Sequence, residues 1–423
     1  MYFIKHWMLG NQTNMKKNYF WNTLGTGVYA LSTMILTIVV SWCVDSEQAG
    51  IFALALTVGQ WMATISYYET KVYQVTDIRE RYTFSDFFVT KTILLGLSII
   101  ASVVFIALRE KTSEKALIIL FMCIYKTIEG FADVFEGEFQ RQQRVDAAGK
   151  SIFIRVATSN VLFMLSILIT RNLLLSIILM TIEAIAVICI FNFHVVKVQW
   201  PFKFKSTNTQ IAGVFKECFP LFLSSFLNTY ILAASRLAVD AVLESEYQLY
   251  YVAVFMPVTI INLFSGFVFK PLLTDMAVCY DTGKINSLKK MIIKIIAFIF
   301  GFTIICMIGA YLIGIPVLSF VYHVNLTPYK WELLILLFAG GINALNVVLY
   351  YILTIMRKQY YVLFGYIVTA AAALIITTPV TKLLLIRGAA LSYLASVIVL
   401  LVVFSVYILV QVFKIKSKNR KIL

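Results

Sequence analysis

Residues 115–155, KALIILFMCIYKTIEGFADVFEGEFQRQQRVDAAGKSIFIR, set Lys126, Glu129, Asp133 and Glu136 at i, i+3, i+7 and i+10 inside an otherwise apolar run. At about 100° per residue these four groups fall within an arc of roughly 80°, so a helix here carries one charged face. Leu120, Phe121, Ile124, Phe131 and Phe135 occupy the other directions. In a water-soluble protein such a face would be solvated. This chain is 61% hydrophobic and only 13% charged, against roughly 25% charged residues in ordinary globular domains. Its solvent is lipid, where a charge facing hydrocarbon costs about 3 kcal/mol or more. The stripe must therefore face a protein interior or a watery cavity.

Apolar runs long enough to cross the bilayer as helices fall near 19–43, 48–69, 86–108, 115–137, 147–170, 173–195, 212–239, 247–270, 289–314, 331–355, 359–381 and 388–413. The fold class is all-α, a polytopic membrane protein of about twelve helices. An even number of crossings puts both termini on one side. Alternate loops then carry 24 Lys and Arg on the side of the termini and 7 on the other, which makes that side cytoplasmic. The net charge of +15 is mostly this orientation signal and an attraction to anionic headgroups, with no nucleic acid implied. The basic tail KIKSKNRK belongs to the same account.

Cys43, Cys123, Cys189, Cys218, Cys279 and Cys306 are scattered, and His6, His194 and His323 are isolated. No metal, nucleophile or cofactor constellation is expected from them. The first residues, MYFIKHWMLGNQTNMKK, lack the pattern of a signal peptide, and Met15 is a candidate start.

Ser46-Glu47 to Thr76-Asp77 and Ser245-Glu246 to Thr274-Asp275 differ by one residue in spacing, the mark of a duplicated half with the same orientation. With VQWPFKFKSTNTQ as the central basic interruption, the expected organisation is an extension at 1–14, an N-lobe at 15–196, a linker at 197–210, a C-lobe at 211–413 and a tail at 414–423. Lobes related in this way can rock about a site between them, which is a transporter's architecture. Lys91, Lys126, Glu129, Asp133, Arg155, Glu183 and Arg236 are the ionisable residues at membrane depth. For Lys91 and Glu183, snorkelling or a local ion pair competes with function, whereas Lys126, Arg155 and Arg236 lie further inside. Glu129 and Asp133 are either counter-charges one turn from Lys126 or an ion-coupling pair. Glu136 and Glu138 are expected at the cytoplasmic edge with Arg141 and Arg144. Gly314 and Pro316 are expected to end the ninth helix.

Several stretches, in order along nearly the whole chain, resemble the Wzx-type polysaccharide flippases of the multidrug, oligosaccharidyl-lipid and polysaccharide exporter superfamily. They are KKNYFWNTLGTGVYAL, VYQVTDIRERYTFSDF, KTIEGFADVFEGEFQRQQRVDAAGKSIFIR, GIPVLSFVYHVNLTPYKWELLILLFAGGINAL and LTIMRKQ. The resemblance is to the Gram-positive branch serving capsule or exopolysaccharide clusters. It implies two six-helix lobes in a V around a central cavity, and an undecaprenyl-pyrophosphate-linked oligosaccharide moved from the inner to the outer leaflet of the cell membrane. Polysaccharide polymerase and glycosyltransferases would be partners beside membrane lipids. The chain departs from the family pattern at Tyr67-Tyr68-Glu69-Thr70-Lys71, which puts an inherited role for Glu69 or Lys71 in doubt.

For such a cargo Lys126, Arg155 and Arg236 would screen the pyrophosphate, and Asn228, Thr229 and Tyr230 would meet sugar hydroxyls. Rival readings are a drug or metabolite exporter of the same superfamily, a lipid II flippase, a non-transporting scaffold and, from another class, a membrane-embedded glycan polymerase. The short outer loops disfavour the last, so no enzyme is expected.

Overall fold

The structure is a computed structural model that describes residues 8, 15–77, 80–110, 112–199, 206–269, 272–282 and 284–420. The rest of the expected extension 1–14, the centre of the linker (200–205) and the end of the tail (421–423) lie outside the described residues. Every apolar run becomes helix. In order these are α1 (Met15–Cys43), α2 (Ser46–Tyr67), α3 (Thr70–Thr76), α4 (Phe84–Arg109), α5 (Ser113–Arg141), α6 (Val145–Thr170), α7 (Leu173–Val187), α8 (His194–Gln199), α9 (Asn208–Val242), α10 (Ser245–Phe269), α11 (Leu273–Asp281), α12 (Ile285–Gly309), α13 (Ile315–Tyr322), α14 (Lys330–Ile355) and α15 (Gln359–Arg420). The described residues contain no strand.

Ten stretches are long and apolar enough to cross a membrane. The charged α5 is not among them, and Gln359–Gln411 counts as a single stretch of 53 residues. Leu385 interrupts α15 with φ 53° and ψ −135°, a strained conformation for a leucine. Tyr361 packs against Tyr407 with ring centroids 4.4 Å apart, and Tyr366 meets Phe404 at 5.7 Å, so the arms run antiparallel. A Cβ on Gly388 would lie 2.2 Å from the Val380 carbonyl oxygen. Only glycine permits a reversal that tight. The described chain is therefore an all-α polytopic membrane protein with ten candidate membrane stretches, the last of them broken at Leu385. Leu108, Ile169, Phe320 and Leu383 are among the large apolar side chains left exposed, as lipid-facing surface requires.

The expected stop at Gly314-Pro316 is corrected. Helix continues through a π-helical turn, Ala310–Gly314, into α13, with Pro316 in its first turn. The wider turn absorbs the bond that proline cannot donate, and the helix ends only at His323, which is left-handed.

The described chain forms two compact units, one up to Thr229 and one from Tyr230. In the first, α2 starts at Ser46-Glu47 and is followed by the short α3 and the long α4; in the second, α10 starts at Ser245-Glu246 and is followed by the short α11 and the long α12. Asp45 caps α2 by accepting from the Gln48 N–H at 2.8 Å. Residues of α2 from Ala49 to Ser66 are mostly buried, so this helix is the spine of the first unit. Polar clamps fix its neighbours. Ser66 Oγ donates to the Thr127 carbonyl at 2.9 Å, and Ser98 Oγ donates to the Met62 carbonyl at 2.9 Å.

Candidate functional site

The charged face of α5 is buried in the first unit, with Lys126 3%, Glu129 1%, Asp133 7% and Glu136 4% exposed. At this depth each charge needs a partner, and α5 by itself offers three carboxylates on the stripe against one lysine. Neighbouring helices supply the remaining cations. Lys126 Nζ pairs with Glu129 Oε2 at 2.8 Å and lies 5.1 Å from the Tyr125 ring centroid and 5.7 Å from that of Tyr29. Further along, Lys71 of α3 bridges Asp133 Oδ1 and Glu136 Oε2, both at 3.0 Å. Arg155 of α6 donates from Nη2 to Glu136 Oε1 at 2.9 Å, while its Nε and Nη1 are buried without a hydrogen bond. Lys91 of α4 lies 3.6 Å from Asp133 Oδ2.

Local sequence explains how these groups meet. Tyr68 and Glu69 are both left-handed, with φ 44° and 54°. This break ends α2 and restarts the chain as α3, carrying Lys71 onto the stripe. On the other side, a Cβ on Gly130 would lie 2.8 Å from the Ser66 side chain, so a glycine is what lets α5 approach the end of α2. Gln74 completes the edge, donating from Nε2 to Glu138 Oε2 at 3.1 Å and to the Val134 carbonyl at 3.3 Å.

Placed against the sequence-predicted residues, the structure joins Lys126 to Glu129, and joins Asp133, Glu136 and Arg155 into one network through Lys71. Lys91 is fully buried rather than snorkelling. Glu183 accepts from Ser159 Oγ at 2.6 Å and from the Thr158 hydroxyl. The expectation that Glu136 sits at the edge with Arg141 and Arg144 is corrected. Glu136 is three residues past Asp133 and shares its face, whereas Arg141 donates to the Tyr82 carbonyl at 3.1 Å and Arg144 pairs with Asp146 at 3.0 Å. Lys71 was legible only as an orientation signal. The missing hint was the charge balance of α5, which demanded cations from other helices.

Asn228, Tyr230 and Arg236 lie on α9, all partly buried. Asn228 falls in the first unit, and Tyr230 and Arg236 in the second. Thr229 donates back to the Ser225 carbonyl at 2.9 Å. Arg236 differs from the first unit's cations. Its guanidinium carbon is 4.4 Å from the Phe255 ring centroid, Tyr251, Tyr322 and Tyr393 are within electrostatic reach, and its Nε is buried with no hydrogen bond. Gln248 on α10 is buried with neither amide atom bonded. No cluster of His, Cys, Asp and Glu suited to a metal occurs among the described residues.

Comparison with solved structures shows a fold shared with transporters. The chain is similar to an inward-facing multidrug resistance MATE family transporter of the MOP superfamily, with TM-score 0.69 and 11% identity over 94% of this chain and 96% of that one. It is similar to an outward-facing transporter of the same description, with TM-score 0.56 and 13% identity over 95% and 96%. A third neighbour is a MOP superfamily transporter from Pyrococcus furiosus, for which a reversed binding-pocket polarity is described as suggesting a different function. There the TM-score is 0.58 and the identity 12%, over 95% of each chain. No family model and no curated protein matches the chain. At these identities the superpositions show the fold alone: the chain shares the fold of these MOP-superfamily transporters.

Proposed function

We propose that the chain is an exporter of the cell membrane, with both termini cytoplasmic, that works by alternating access. Its cargo in this reading is an undecaprenyl-pyrophosphate-linked oligosaccharide, moved from the inner to the outer leaflet for polysaccharide synthesis. The observation that carries an anionic cargo is Arg236. A guanidinium among aromatic rings, with no carboxylate bonded to it among the described residues, lacks the counter-charge that a diphosphate brings. The unbonded Gln248 amide supplies donors and an acceptor suited to sugar hydroxyls. Arg155, with two free donors, is a second candidate contact, and Lys126 a third once released from Glu129. The polyprenyl tail would stay in lipid throughout.

The second reading is a drug or metabolite exporter, and on the fold it fits at least as well. The neighbours described as multidrug transporters favour it, as does the pairing of Lys126 and Arg155 with carboxylates, which leaves the first unit nearly neutral inside. One experiment separates the two: inverted membrane vesicles holding the chain or its Arg236→Ala variant are assayed for protection of a labelled undecaprenyl-pyrophosphate oligosaccharide and for ethidium transport. The flippase reading expects protection of the lipid-linked sugar, lost in Arg236→Ala at equal membrane level. Ethidium transport with no movement of the sugar lipid would replace it by the second reading, and movement of lipid II alone would reassign the cargo.

A further inference from the structure

Lys91 Nζ lies 3.0 Å from the Ser66 carbonyl oxygen, 2.9 Å from that of Tyr67 and 2.9 Å from that of Gly130. The Asp133 carboxylate is the most distant of its four oxygen neighbours, at 3.6 Å, and is already engaged by Lys71 at 3.0 Å. A buried lysine held mainly by a carboxylate would show the reverse order. The close ligands here are peptide dipoles, and the ammonium they surround is fully enclosed.

Their convergence is a property of the backbone. Two left-handed residues end α2 at Tyr67, which leaves the Ser66 and Tyr67 carbonyls in the last turn without backbone partners, the Tyr67 carbonyl also accepting from Thr70 Oγ1 at 3.3 Å. The missing Cβ of Gly130 lets the α5 backbone close the third side. Carbonyl oxygens replacing a hydration shell, with one carboxylate nearby, are the surroundings proteins give to a dehydrated monovalent cation. An ammonium group and a potassium ion are close in size and carry the same charge.

We propose that this cage is a monovalent-cation site whose tethered occupant is the Lys91 ammonium, and that it accepts potassium or ammonium once the lysine side chain is removed. The inference rests on the geometry of the first unit and is independent of any cargo. It means that this point of the network carries its cation as part of the chain and exchanges none with solvent.

Thermal unfolding of the purified full-length chain in detergent tests this, in choline, sodium, potassium and ammonium chloride at equal ionic strength. Wild type should unfold within about 1 °C of the same temperature in all four. Lys91→Ala should fall by several degrees in choline and regain at least about 3 °C, saturably, in potassium or ammonium. Lys91→Met, which fills the cage with a neutral side chain, should regain nothing. The proposal is overturned if Lys91→Ala unfolds alike in choline and potassium, if Lys91→Met recovers equally, or if wild type responds to potassium specifically. Because the bacterial cytoplasm is rich in potassium, failure of Lys91→Ala to accumulate in the membrane counts against it too.

Discussion

In the first unit Arg155 sits 2.9 Å from Glu136 inside a run of alternating charges; in the second, Arg236 rests against Phe255 and bonds to no carboxylate among the described residues. Both are deep guanidiniums with buried nitrogens left unbonded, but they are held in different ways. Arg155 belongs to a set in which each member needs the next. Arg236 stands on the quadrupole of a ring, an interaction worth about 2 kcal/mol or more when desolvated, and keeps its charge available. In the proposed reading Arg236 is the principal cargo contact, and Arg155 both holds the network and offers the cargo its two remaining donors.

The largest effect that could break this contrast is expected at Glu136. Replacing it with alanine strands Arg155 and leaves Lys71 with Asp133 alone, and removing one partner of a buried ion pair costs about 3–5 kcal/mol. A shift of the unfolding temperature in detergent no larger than that of an exposed-site control would show that the network does not hold the unit. A smaller effect, about 0.5–3 kcal/mol of coupling, is expected between Lys126→Met and Glu129→Gln. In a double-mutant cycle the pair should cost less than the sum of the singles, and strict additivity would mean that their 2.8 Å contact is energetically idle. The smallest stability effect is expected for Arg236→Met, within about 1 kcal/mol of wild type and of either sign, because a charge with no bonded carboxylate is removed for a side chain of similar reach. Its transport should nevertheless be lost. Strong destabilisation with transport retained per folded molecule would reverse the roles assigned to the two arginines.

The fold was legible because its cause is local. A run of about twenty apolar residues in lipid satisfies its backbone as a helix, so each of the twelve runs read from the sequence falls in helix in the structure. The stripe on α5 was legible for the same reason, since helical periodicity alone groups Lys126, Glu129, Asp133 and Glu136. Its partners were not. Lys71 reaches the stripe through two left-handed residues, and neither Tyr68 nor Glu69 belongs to the types that ordinarily signal that conformation. Pro316 misled in the opposite sense. Proline near glycine normally stops a helix, but a π-helical turn, whose occurrence depends on tertiary packing, carried it through. The carbonyl cage of Lys91 has no signature in sequence, because its ligands are main-chain atoms.

The burial of the α5 charges bears on how the protein is made. Lys126, Glu129 and Asp133 lie in the middle of α5, and charged residues at the centre of a nascent helix each oppose its insertion by about 2.5–3.5 kcal/mol. By itself α5 would not leave the translocon for lipid. Lys71 and Lys91 are synthesised before it, and Arg155 comes only with α6. α5 is therefore expected to enter lipid only together with the helices that pair its charges, α6 the last of them. Glycosylation mapping of nascent chains truncated between α5 and α6 should find α5 not yet committed across the bilayer, and chains extended past Thr170 should find it inserted.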